Sequence, residues 1–202
     1  GKDITYDWER HHNLLPGHSY LIPEKTKKSS ISTFSNFLLS EYHGMYLTRT
    51  HPHLIQSRLS MDDVEINFIG KHSIEKLPTV ETIQEFSDTI QQFINTHSKG
   101  IILIEGLHYF ITRFSFDEVV NAFYEINEKI YGSNCILLLY LNPEFVHTEH
   151  IGILKSEFEP LPSKKVKDIK ISDELSEILH YIKEESEKNS LVSLKRIISR
   201  FD

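Results

Sequence analysis

Two short stretches of this chain carry residue types that handle nucleotides. The first is Pro23-Glu24-Lys25-Thr26-Lys27-Lys28-Ser29. Set against the phosphate-binding pattern G-x-x-x-x-G-K-[ST], Lys28 and Ser29 hold the lysine and hydroxyl positions, but both glycines are missing. Those glycines let the backbone curl its N–H groups around a phosphate with no side chain in the way. Pro23 has no N–H to offer, and Lys27 places a long side chain at the tightest point of the turn. The stretch therefore reads as a solvated basic turn, a degenerate phosphate loop rather than a working one. The second stretch is Ile101-Ile102-Leu103-Ile104-Glu105-Gly106, an apolar run that stops at a carboxylate. Glu105 stands where a nucleotide hydrolase holds its magnesium-binding acid on a central strand. With the partner loop broken it has little to coordinate. It reads better as a relic, or as a strand-end carboxylate held by local N–H groups, Arg49 or Arg113.

Arg49-Thr50-His51-Pro52-His53 is the densest cationic cluster at a strand exit. Arg49 is suited to an anion, and Arg49, His51 and Glu105 together form the candidate ligand rim. His51 and His53 lack a placed carboxylate and make a poor metal pair; the plainer reading is that Pro52 starts a helix and leaves both histidines exposed. His11-His12, His108 and His147-Thr148-Glu149-His150 do not match a metal motif, and no Gly-x-Ser-x-Gly elbow occurs. No metal, no cofactor and no catalytic residue is expected.

The elements that position these residues follow from the bulk properties and the patterning. A chain of 202 residues with 39% hydrophobic residues can build one ordinary core with an appendage. Its net charge of -7 argues against broad nucleic-acid binding, though not against a local basic patch. Cys135 is the only cysteine, so neither a disulfide framework nor a cysteine zinc site can form within the chain; a cytoplasmic location is expected. No apolar segment reaches the roughly 18 residues of a membrane span, and no apolar signal core opens the chain.

Residues 1–17 read as a polar arm and residues 18–159 as an α/β domain. Strands are expected at Ser19–Ile22, Met45–Thr48, Val64–Ile69, Ile101–Glu105 after a Lys99-Gly100 turn, and Cys135–Leu141. Helices are expected from Ser29-Ser30, which can cap the first of them, to a Gly44 C-cap, after Pro52 with Leu54, Ile55 and Leu59 inward, after Pro78, over Asp117–Ile130 and over Thr148–Phe158. Gly106–Phe116 reads as turn-like. Unbroken apolar strands alternating with helices predict a three-layer, mostly parallel, five-stranded sheet with helices on both faces. Residues 160–171 read as a linker, broken by Pro160 and Pro162, and residues 172–202 as a helical appendage.

Four segments carry a family resemblance: Tyr20-Leu21-Ile22; Gly44-Met45-Tyr46-Leu47-Thr48-Arg49 with Pro52; Ile101 through Glu105-Gly106-Leu107-His108-Tyr109-Phe110; and Leu137 to Pro143. Between about Ser19 and Phe158 the chain resembles the archaeal domain of unknown function 835. The resemblance rests chiefly on the Arg49/Pro52 and Gly106/Tyr109 spacings taken together. It implies a RecA/KaiC-like core without a phosphate loop, found in archaeal signalling and regulatory proteins beside sensory or DNA-binding domains, with no established reaction. The stretch from Ser172 resembles the first two helices of an archaeal winged helix-turn-helix, whose recognition helix and wing would lie beyond Asp202. A plain helix pair, or a dimerisation element, explains the same pattern.

The reading these features favour is a non-catalytic sensory or protein-interaction module of an archaeal signalling or transcription regulator. It would act through a protein partner and through self-association as a homodimer, away from any membrane. One alternative is a RecA-like nucleotide-binding or hydrolysing enzyme using Lys28, Ser29 and Glu105. The other is DNA binding through the C-terminal helices, where Lys195, Arg196 and Arg200 form a small basic cluster.

Overall fold

A computed structural model describes residues 14–57, 59, 62, 64–162 and 175–184. The chain divides into two compact units, Gly1–Leu161 and Pro162–Asp202. In the second, residues 175–184 are helical. None of the helices described is long and apolar enough to cross a membrane.

The first unit is an α/β fold built on one parallel sheet. Its strands are β1 (Ser19–Pro23), β2 (His43–Thr48), β3 (Val64–Ile69), β4 (Thr79–Val80), β5 (Gly100–Ile104), β6 (Ile136–Leu141) and β7 (Glu159–Pro160). Their order across the sheet is β4-β3-β2-β5-β6-β1-β7, with every neighbouring pair parallel. The sheet thus has seven strands where five were expected. The two additions, β4 and β7, are two-residue edge pairs too short to show any hydrophobic period. Pro160 is tolerated in β7 because an edge strand can forgo an N–H.

The helices are α1 (Lys28–Leu39), α2 (Pro52–Gln56), α3 (Ile83–Thr96), α4 (Leu107–Arg113), α5 (Phe116–Tyr131) and α6 (Thr148–Glu157). Phe34 and Phe37 of α1 and Ile55 of α2 join the core on one face of the sheet. Phe86, Phe110, Phe123 and Leu154, from α3 to α6, join the core on the other. The first connections run towards β4 across one face and the later ones towards β7 across the other, as right-handed crossovers require. Strand β5 lies in the middle, with Ile101, Ile102, Leu103 and Ile104 fully buried.

Three local expectations change. The stretch after Gly106 is helical, because Leu107 and Phe110 share a buried face over a single short helix. Leu54 is exposed, since α2 is only five residues long and turns just Pro52 and Ile55 inward. Gly44 is not a C-cap but lies in β2, where a Cβ would come within 2.5 Å of Leu38 Cδ2. Helix α1 ends earlier, capped at Ser40, and Glu41 takes the left-handed turn conformation at φ 66°.

Candidate functional site

The exits of β2, β5, β6 and β1 lie side by side at the carboxyl edge of the sheet. The chain leaves β1 and β2 towards one face and β5 and β6 towards the other, so the loops part and open a crevice between them. Its volume is about 160 Å³, and Lys27, Arg49, Glu105, His108 and Asn142 supply its polar wall.

Glu105 is 2% exposed, directly after the central strand. Its N–H donates to the Leu47 carbonyl at 2.8 Å, which extends the β5–β2 ladder by one bond. Its Oε1 accepts from the hydroxyls of Thr48 and Thr50 and from Lys27 Nζ at 3.1 Å. Lys27 Nζ also donates to Thr50 Oγ1 at 3.0 Å, and the Thr50 N–H donates to Thr48 Oγ1 at 2.8 Å. The Tyr46 phenol lies beside the same carboxylate and the Thr48 and Thr50 hydroxyls, and burial, followed by the Glu105 charge, pushes its pKa far up. Strand pleating explains the set. Tyr46 and Thr48 point to one side of β2, and Thr50 returns to that side just past the strand end. These donors replace the water that the carboxylate gives up on burial.

Lys27, not Lys28, is therefore the lysine that reaches Glu105. Lys28 opens α1 and is exposed, whereas Lys27 is the helix N-cap and has no side-chain role in capping. The cap comes from Glu24. Its carboxylate accepts from the Ser29 N–H at 3.4 Å, the Ser30 N–H at 3.1 Å and Ser30 Oγ at 3.0 Å. Ser29 and Ser30 are thus recipients of the cap, although the local sequence makes them look like its source. A side-chain carboxylate sits where a phosphate loop would present helix N–H groups to its ligand. Replacing Glu24 with alanine is expected to cost about 1 kcal/mol, the scale of a lost N-cap, read as a lower urea midpoint with an unchanged slope.

Arg49 lines the crevice, but its guanidinium is anchored. Nη1 donates to the Ile69 carbonyl at 2.7 Å, and the group lies 4.4 Å over the Tyr109 ring and 5.6 Å from that of Phe68. Gly106 makes room for it: at φ 103°, a Cβ there would come within 3.0 Å of Arg49 Cγ. The Gly106/Tyr109 and Arg49 spacings are thus one contact seen from two places in the chain. Gly106→Ala is expected to destabilise the fold by about 1–2 kcal/mol, from the left-handed backbone and the crowded arginine stem. Thermal unfolding measured beside an exposed Gly152→Ala control checks this, since nothing lies within 4 Å of a Cβ at Gly152.

His51 lies apart from this crevice. Its Nδ1 accepts the His53 N–H at 3.2 Å, capping α2, and its Nε2 is 4.0 Å from Glu75. Of the expected rim, the structure brings Arg49 and Glu105 together and turns His51 away at Pro52. Among the described residues no three histidine, cysteine or acidic side chains gather in a metal-binding group. Lys195, Arg196 and Arg200 lie outside the described residues.

Three further wall residues, His108, Tyr140 and Asn142, had no motif to mark them. The one available signal was their place just past β5 or at the end of β6. Partial desolvation, then the charges of Arg49 and Lys27, lower the His108 pKa from its ordinary 6.5, with Glu105 opposing. Burial raises that of the Tyr140 phenol, helped by Glu105 and Glu24.

A family model described as "Protein of unknown function (DUF835)" matches residues 23–158. No curated protein matches the chain. Among solved structures, one from Pyrococcus horikoshii OT3, described only as a structural study of a numbered project, is similar over 78% of this chain and 88% of its own length. The TM-score is 0.55 and the identity 11%, a likeness of fold alone.

Proposed function

Since the chain belongs to DUF835, a family of proteins of unknown function, its role has to be argued from the site, and we propose a non-catalytic sensory and protein-interaction module of a signalling or transcription regulator. One observation carries this reading: the crevice supplies its own counterions. Glu24 occupies the N-terminus of α1, and Lys27 bridges Glu105 and Thr50. A nucleotide would have to displace the first to place a phosphate, and magnesium would have to displace the second to reach the acid. Each displacement gives up a contact that the protein already makes, so the ligand gains only the difference.

The core is read as RecA-like. The strand leading into the first loop is separated from the acid-bearing strand by one intervening strand, β6, and all three are parallel. This arrangement suits a nucleotide fold kept as a scaffold after its phosphate loop was lost. The single cysteine, buried as a free thiol, suits a cytoplasmic setting.

The test is titration of the purified chain with ATP and magnesium, together with its solution mass. Expected are no binding tighter than millimolar, no hydrolysis, and a dimer mass. Micromolar binding with turnover would replace this reading with the nucleotide enzyme. Salt-sensitive retention of duplex DNA in a gel would replace it with the DNA-binding regulator.

A further inference from the structure

The polar wall of the crevice has donors to spare. An ammonium has three protons, and Lys27 has two acceptors within hydrogen-bond distance, Thr50 and Glu105. A guanidinium has five N–H bonds, and Arg49 places one on a protein acceptor, the Ile69 carbonyl. The Asn142 Oδ1 is already taken by the Glu144 N–H at 3.0 Å, which leaves its amide donors for the opening. The one carboxylate, Glu105, has its Oε1 engaged by three donors. Two cations thus face one acid that is already matched. Beside Tyr140, the apolar part of the wall is Leu107, Leu141, Val146 and Phe145, the last on the rim and 68% exposed.

We propose that this crevice binds a small organic carboxylate, with its anionic head on Arg49 and Lys27 and a short apolar body against Leu107, Leu141, Val146 and Phe145. This rests on the sensory reading and names the class of molecule sensed. The volume admits a body of a few carbons. Arg49 is held in place from behind by Ile69 and by the Tyr109 ring, so little ordering is left to be done on binding. His108 reports on the event. Its protonation is opposed first by partial desolvation and then by the charges of Arg49 and Lys27, with Glu105 favouring it, so an anion that offsets the two cations raises its titration midpoint.

The experiment follows the His108 ring resonances of the full chain by NMR at constant ionic strength. The probes are sodium butyrate, sodium acetate and inorganic phosphate, with magnesium-ATP in a separate arm. Butyrate is expected to move the His108 signals saturably and to raise their titration midpoint, with acetate weaker. Arg49→Gln should weaken butyrate by about tenfold or more, the scale of one charge-assisted hydrogen bond. Because Arg49 also packs, Phe145→Ala serves as a second variant at an exposed position. It should weaken butyrate severalfold and leave acetate unchanged. Phosphate acting as strongly as butyrate would overturn the organic-acid assignment, as would no response to butyrate at tens of millimolar. Binding and hydrolysis of ATP alongside an intact butyrate response would break the non-catalytic reading and leave the ligand assignment standing. Silence towards both would do the reverse.

Discussion

Phe123→Ala should lower the unfolding free energy by about 4 kcal/mol, within the range for a phenylalanine cut out of a packed core. Phe123 is fully buried on α5. Its ring meets Phe86 of α3 edge-on at 5.8 Å and Phe158, just after α6, edge-on at 5.2 Å. One side chain therefore joins three segments over the same face of the sheet. Removing it forfeits its own transfer free energy and leaves a hole that three separate elements must close at once. Phe123→Leu keeps most of the volume and is expected to cost about 1.5 kcal/mol or less. Urea unfolding of the two variants checks this. An alanine cost no larger than the leucine cost would mean that α3 and α5 close over the gap.

Glu105→Ala is expected to cost about 3 kcal/mol, for a different reason. Thr48 and Tyr46 are 0% and 2% exposed; the carboxylate accepts from the Thr48 hydroxyl and the Tyr46 phenol lies beside it. An orphaned buried hydroxyl costs about 1–3 kcal/mol, and here there are two. Lys27 adds little, because its side chain is 36% exposed and its ammonium can turn to water. Glu105→Gln keeps one acceptor oxygen and is expected to cost about half as much. Coupling of Glu105→Gln to Lys27→Met in a double-mutant cycle should stay at or below about 1 kcal/mol, the scale of a partly exposed pair. If the alanine variant unfolds within about 0.5 kcal/mol of the parent chain, Thr48 and Tyr46 have other acceptors.

The contrast between these substitutions separates the two jobs of the central strand. Up to Ile104 it is core, and its stability comes from packing shared with the helices. At Glu105 it becomes the floor of the crevice, and its stability comes from hydroxyls that converge on one oxygen. A site whose acid is held by its own scaffold is suited to presenting Arg49 and Lys27 to a ligand, and poorly suited to handing that acid to a metal.

Much of the scaffold was legible in the residues alone. Ile101–Ile104 and Ile136–Leu141 are unbroken apolar runs, and such runs are buried on both faces, which requires a parallel sheet with helices above and below. The Arg49/Pro52 and Gly106/Tyr109 spacings marked the family. All of these depend on near neighbours in the chain.

What tertiary structure decided depends on partners far apart in sequence. Motif spacing selected Lys28, but the helix starts there and points it outward, while Lys27 reaches an acid 78 positions away. Ser29 and Ser30 looked like caps, yet they receive one from Glu24, because the loop folds back on the helix. His51 seemed to share the rim until Pro52 turned it into a cap for its own helix. His108 and Asn142 became wall residues only because β5, β6 and β1 lie side by side. Periodicity reports which face of an element is buried. Strand order determines which strand ends meet, and it is settled by how whole elements pack, so no short window of sequence contains it.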